Sequence, residues 1–496
     1  MRRLLLAVLV CACGRVGFDD RVAGDGSGSA AALTLSYPTT QVSAVVGATA
    51  ISLTPAVSRT AHFTITPDLP PGVSLDAATG VISGTPTASA EQLYTITAIA
   101  GSDSATAPLD LIALPGYVVD ATGDAPDSNG GTDTVCATAA GGCTLRAAIQ
   151  TVNQQTTRQL VLLGTATYAL GSALDPITND VVIAGAGTTA STIRAATVHA
   201  AYPALTLATA HTLALRDLAI DDFGGSDGGA LAVTAGTLDV DRCDFDNNAS
   251  PTSGGVLFIN GGAHATFAHG TFTRNASLGG NGGGWGGVID GEGAGTDIVV
   301  TRSFATENTT AWGSFSHITT GTTLRLENST LYANTSTTAG TLATPGGVYT
   351  LVNDTIVGNI NTNGDSAGIY LYSAPCHYTV TNTIVAANVN QPGGEQDCHI
   401  RDVATTITSG GGNILGDAGN NCAQYFNLPT DRLTTDPGLA SGMPADHGGA
   451  TPTTLLAPGS PALDTGNASA CPAVDQRDLP RPAGPGCDIG AVEVQP

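Results

Sequence analysis

GGALAVTAGTLDVDRCDFDNN at Gly228–Asn248, followed by GGVLFINGGAHATFAHGTFTRN at Gly254–Asn275, decides the fold of this chain. The same unit returns until Asn388. Its openings are GGALAV, GGVLFI, GGVIDG, GGVYTL and AGIYLY. Its closings pair a bulky apolar residue with asparagine: Phe245 with Asn248, Phe272 with Asn275, Phe304 with Asn308, Leu331 with Asn334, Ile356 with Asn359 and Ile384 with Asn388. The asparagines step by 27, 33, 26, 25 and 29 residues. A period of this size marks stacked coils, each burying its apolar face on the next. The unequal steps suit a parallel β-helix, whose strands recur while its loops vary. Because the asparagines return in every coil, they are expected to stack as an internal hydrogen-bonded ladder rather than to bind a ligand.

Composition agrees. The 496-residue chain holds 64 glycines, no lysine and a formal charge of -24, and 35 of its 41 acidic residues are aspartate. Threonine, valine and glycine favour strands and turns. A surface this acidic excludes nucleic acid and anionic lipid as partners. The expected partner is a polysaccharide or surface protein, and the expected state is a monomer.

Residues 1–13 read as an export signal: Arg2-Arg3, then an apolar run from Leu4 to Val10 too short to span a bilayer. The following Cys11-Ala12-Cys13-Gly14 resembles the lipobox of bacterial lipoproteins, which implies acylation of Cys13 and a place in the cell envelope, at the outer membrane or cell surface. An ordinary cleaved signal, giving a secreted protein, is the alternative. Beyond it a linker occupies 14–32. Eight cysteines remain, and spacing suggests the disulfides Cys136–Cys143, Cys398–Cys422 and Cys471–Cys487, with Cys243 and Cys376 as buried thiols.

Residues 33–115 form a first folded unit. Alternation at Leu33, Leu35 and Tyr37, and at Tyr94, Ile96 and Ala98, predicts half-buried strands. Between them LPPGVSLDAATGVISGTPT, Leu69–Thr87, resembles the immunoglobulin-like domains repeated in bacterial surface proteins, which implies a small β-sandwich spacer. In 116–155, Leu145, Ala148, Ile149 and Val152 have helical spacing behind an N-capping Thr144, as a lid on the solenoid requires. CTLRAA, Cys143–Ala148, resembles the CSLREA motif of an N-terminal module, departing from it by Ser to Thr and Glu to Ala. VVIAGAG, Val181–Gly187, and TLALRDLAIDDF, Thr212–Phe223, look like the rungs of pectin-lyase-like proteins. The predicted class is therefore all-β: a right-handed parallel β-helix over 156–435 behind the sandwich. Residues 436–496 are similar to the choice-of-anchor Q region that closes many bacterial β-helix surface proteins, through Gly448-Gly449, Gly459-Ser460-Pro461-Ala462-Leu463-Asp464, Asp475-Gln476-Arg477, Arg481-Pro482 and Cys487-Asp488-Ile489-Gly490. Asp475, Arg477 and Arg481 are expected to fasten this proline-rich segment by ion pairs.

Pectin-lyase-like folds commonly cleave acidic polysaccharides. That resemblance makes Arg216, Asp217, Asp221 and Asp222 the candidates for a lyase or hydrolase site. Neighbouring Asp221 and Asp222 face opposite sides of a strand and serve one substrate only at a turn. His269-Gly270 resembles one element of polygalacturonase-like hydrolases, whose basic element is absent here. No cofactor is required by this reading. Calcium is the candidate ion, with Asp120, Asp124, Asp127 and Asp133 in a glycine-rich loop as ligands or as ordinary turn aspartates. A second acidic run is Asp239, Asp241, Asp244 and Asp246. Carboxylates and an arginine converging over neighbouring coils would favour an enzyme; scattered acidic residues would favour a passive scaffold or adhesin.

Overall fold

The structure, a computed structural model, describes residues 32–279, 283–373, 376–391, 393–402, 405–416 and 421–495. The signal segment, Cys13 and all but the last residue of the linker lie outside the described residues. The chain is all-β: an immunoglobulin-like sandwich, then a parallel β-solenoid of about nine turns. No helix among the described residues is long and apolar enough to cross a membrane.

In the sandwich, Gln41–Val45, Asp103–Leu114, Ala90–Ala100 and His62–Thr66 form a four-stranded sheet that faces the three strands Ile51–Leu53, Ile82–Gly84 and Val73–Leu75. Tyr94, Ile96 and Ala98 point inward and are buried, as their alternation predicts. The sandwich is docked on the solenoid. Val45, Ile112 and Leu114 pack on Leu160, Val182, Ala184 and Ala214 of the first coils, and Arg158 pairs with Glu91 at 2.9 Å.

The coils begin with the strand Gly116–Val119, which pairs in parallel with Gln159–Leu163. The helix Leu145–Val152 lies between them in sequence, and Thr144 caps it by accepting the Ala147 N–H. Leu145, Ala148, Ile149 and Val152 are all fully buried against the first rungs, so the helix seals the open end of the core. From there three parallel faces climb together: a bent twenty-stranded sheet, an eight-stranded sheet and a seven-stranded sheet. Inward positions stack in files. Leu238, Ala265, Ile298, Leu324, Tyr349 and Tyr378 form one such file.

The asparagine ladder is present. Asn308 donates from Nδ2 to Phe272 O and to Asn334 Oδ1, while its Oδ1 accepts the N–H of Asn275 at 2.9 Å. Asn248, Asn275, Asn334 and Asn359 repeat the pattern, and Asn388 ends it on Asp397. All six asparagines are fully buried. The opening glycines have a physical reason too: Gly228, Gly254 and Gly286 have φ of 80°, 61° and 62°, and a Cβ there would lie 2.0 Å from the carbonyl oxygen three residues on.

Two details of the sequence reading are corrected. GGVYTL does not open a coil: Val348–Val352 belongs to the bent sheet, beside Thr323–Glu327, and the equivalent opening in that coil precedes Leu342. Phe304 and Ile384 are not the core partners of their asparagines. The register aligns Phe272 with Ala305 and Ile356 with Val385, so Phe304 and Ile384 fall one position away and face outward. What buries Ile384 is the C-terminal segment, through Leu456, Ala462 and Ile489.

That segment, residues 436–495, does not plug the far end of the solenoid. It runs back along one flank. Asn382 Nδ2 donates to Asn467 O, Asn353 Nδ2 to Asp488 O, Asn328 Nδ2 to Val474 O, and Thr451 to Arg302 O. Gln476, fully buried, accepts from Thr330 and donates to Ser303 O. The expected fastening is present with one more member: Arg477 chelates Asp475, and Arg481 pairs with Glu493 at 3.2 Å. The three expected disulfides form, and Cys243 and Cys376 are free and buried.

Replacing Asn308 by alanine removes the shared acceptor of the Asn275 backbone N–H and Nδ2 and the side-chain donor to Phe272 O. We expect a loss of about 3–5 kcal/mol, read as a lower guanidinium midpoint. Asn427→Ala, at an exposed position, is expected to change stability by less than about 0.5 kcal/mol.

Candidate functional site

The bent sheet turns sharply once per coil, and the residue at each bend is left-handed. Asp217, Arg242, His269, Arg302, Asn328, Asn353 and Asn382 have φ between 50° and 54° and stand one above another. Such a backbone is tolerated by asparagine, aspartate and histidine but not favoured by arginine. The first four side chains of this file join two further aspartates in a line of alternating charge. Arg242 Nε meets Asp217 Oδ1 at 2.7 Å, and its Nη1 meets Asp241 at 2.5 Å. His269 follows, with Nδ1 at 2.7 Å from Asp241 and Nε2 at 3.0 Å from Asp478, and Arg302 closes the line on Asp478 at 2.9 Å. The sandwich, the coils and the C-terminal segment meet here around a cleft of about 460 Å³, lined by Tyr37, Asp217, Arg242, His269, Arg477 and Asp478.

Both ring nitrogens of His269 face carboxylate oxygens, so both donate, and the ring is an imidazolium. Burial opposes that charge, but the hydrogen bonds with Asp241 and Asp478 outweigh it and hold the pKa above the usual histidine value. Burial likewise acts to raise Asp241 and Asp478. The hydrogen bond with His269 leads the opposing effects and leaves both below the usual range. A histidine in this state is a link between anions, not a free base. Asp217 is likewise neutralised by Arg242, and Arg216 by Asp239.

The four sequence candidates do not form one site. Asp221 and Asp222 lie at the next bend, roughly 13 Å further along the strand by its rise. Asp222 is left-handed, with φ 68°, which brings both carboxylates onto one guanidinium: Arg194 is 2.9 Å from Asp221 and 3.3 Å from Asp222. Burial pushes Asp221 up to about 6 despite Arg194. The second acidic run is also split by a bend. Asp239 and Asp241 stand before it, Asp244 and Asp246 after it, and Asp246 pairs with Arg274.

The residues proposed for calcium do not fit the ion. Asp120 accepts the Cys143 N–H, and Asp124 is chelated by Arg146. Asp127 accepts three backbone N–H groups, and Asp133 holds Asn129 and Val135. Among the described residues no three acidic, histidine or cysteine side chains gather as a metal site. The aspartates pin the turns of their own loop. Sequence reasoning missed His269's place in the charged line, as well as Asp478 and Arg302, because 209 residues separate His269 from Asp478.

A family model described as Putative Ig domain matches residues 27–111. The match coincides with the sandwich and stops short of the solenoid. No curated protein matches the chain.

The charged line carries a pH signature. His269, raised when folded, stabilises fully below about pH 6.5 and loses its contribution as pH climbs through its higher folded value. Asp241 and Asp478, lowered when folded, contribute above about pH 4 and lose their part on acidification. The gap in thermal midpoint between wild type and His269→Gln is expected to be widest near pH 5 and to close as pH rises past neutrality. A gap that stays constant with pH would show that His269 is not charged in the fold.

Proposed function

We propose that this chain is a cell-envelope lipoprotein, held by a lipid on Cys13, whose solenoid is an elongated scaffold or adhesin that binds glycan or a surface partner. The observation that carries the reading is the self-neutralised groove: where carboxylates, arginine and histidine do converge, each charge is already paired within the protein. A lyase or hydrolase needs at least one such group free to take or give a proton. Three disulfides fit an oxidising compartment. The resemblance of the 116–155 cap to the CSLREA module, and of residues 436–496 to choice-of-anchor Q regions, supports a role among bacterial surface proteins.

The rival, a polysaccharide lyase or glycoside hydrolase, is favoured by one observation: Asp217, Arg242 and His269 line a single cleft over neighbouring coils. Purified protein given neutral and acidic polysaccharides is expected to release no new reducing ends and no unsaturated products. Release that disappears in His269→Ala or Asp221→Asn would make the chain an enzyme. In cells, labelled palmitate is expected to enter the full chain and to be lost in Cys13→Ser; labelling that survives this change would remove the anchor.

A further inference from the structure

The outer face of the eight-stranded sheet differs from the rest of the solenoid surface. Its outward file runs Phe258, Asp290, His317, Ala343, Tyr370 and His399. The chain has two tryptophans, and both stand beside this file, Trp285 bridged in register to Trp312 on the next coil. None of these rings belongs to the main core, which lies on the other side of the sheet. Trp285 is 38% exposed, Trp312, Tyr372 and His399 are half-buried, and Tyr370 and His317 are buried beneath them.

Apart from Trp312, the rings share a rough orientation. Tyr370 and Tyr372 stack at 5.6 Å with planes 19° apart, His317 and Tyr372 lie 21° apart, Tyr370 and His399 31°, and Trp285 and His317 33°. Trp312 packs on Tyr372 at 4.7 Å, tilted by 47°, and is tilted by 41° from Tyr370. Near-parallel rings on successive coils present a broad platform. A quaternary ammonium calls for faces turned toward a common point, which this arrangement does not offer. Flat apolar faces with polar tips suit a ring that is apolar on its C–H face and rimmed with hydroxyls.

Polar recognition lies alongside. Asp290 is fully buried; its Oδ1 meets His317 Nδ1 at 2.7 Å, and His317 Nε2 meets the Tyr372 hydroxyl at 2.9 Å. Asp290 Oδ2 has no hydrogen-bond partner. This oxygen keeps acceptor capacity beneath the rings, which a small donor such as a water or a sugar hydroxyl would fill. Asp290, Glu292 and Asp365 make this face acidic, with Arg401 acting on Tyr370 as the opposing charge. A polyuronate or sulfated glycan is therefore repelled.

We infer that Trp285, Trp312 and Tyr372, backed by the buried Tyr370 and with Asp290 and His317 beside them, form a binding site for the sugar rings of a neutral polysaccharide. This rests on the glycan-binding reading above and gives it a place and a ligand class. Because both tryptophans lie in the site, their fluorescence reports on it alone. Cello-, xylo-, manno- and β-1,3-gluco-oligosaccharides are titrated into the purified protein, with oligogalacturonate and choline as controls, and the corresponding immobilised polysaccharides test retention. The expected result is a saturable emission change with at least one neutral series and none with the controls. Trp285→Ala, at an exposed position, and Asp290→Asn, which keeps volume, should each weaken retention by about tenfold or more with circular dichroism unchanged. Retention of wild type and Trp285→Ala alike would overturn the site and leave the glycan reading standing. No retention and no emission change with any glycan would overturn both, and a response to choline alone would replace the sugar by a cation.

Discussion

A coil that bends inside its own buried surroundings creates peptide groups that no strand can reach, and everything else in this protein depends on supplying them with partners. At one bend, until Asp397 ends the run, the partner in coil after coil is an asparagine. Its amide accepts from the backbone of the coil before and donates to a carbonyl of that coil and to the asparagine of the coil after, as Asn308 does between Asn275 and Asn334. At the other bend the acceptor changes from coil to coil. Gly270 N–H finds Ser303, Ser303 finds Ser329, Ser329 finds Asp354, Thr383 finds Asn413 and Asn413 finds Asp431. Asp354 is the extreme member: burial raises its pKa well above the ordinary range, with two backbone N–H groups acting against it.

Once both bends are satisfied internally, the outer faces are free to follow whatever covers them. One outward file reads Leu160, Val182 and Ala214 under the sandwich and then Asp239, Thr266, Val299 and Arg325 beyond it. Another holds Ile384 and Ile414 where the C-terminal segment lies across. Where the sandwich and the C-terminal segment lie, apolar outer residues are thus domain contacts within one chain, and the ion pairs begin where that cover ends.

This explains what could be read in advance. The asparagine ladder was legible because one residue type recurs at one place. The helix cap at Thr144 and the three disulfides were legible because their partners are near in sequence. The second ladder was not, since serine, aspartate, threonine and asparagine share only the ability to accept a hydrogen bond. The misplacement of Phe304 and Ile384 was signalled by spacing: each stands four residues before its asparagine, where the true core residues stand three before. The charged line at His269 was half visible, as Asp217 and the FAHG stretch, but its closure by Asp478 depends on a segment that returns from the far end of the chain.

Rigidity links the ladder to a passive role. A groove whose charges are mutually paired, as in the line from Asp217 to Arg302, gains nothing from movement, and freeing any member would leave a partly buried ion without its partner. A platform of rings fixed to stacked rungs starts from the opposite advantage. Its side chains are already ordered by packing, as Tyr370 is by Trp312 and Ala343, so less conformational entropy remains to be lost when a ligand lies across them. In the proposed scaffold the paired charges on one flank and the ordered rings on another therefore have the same origin, a backbone held in register by buried amides.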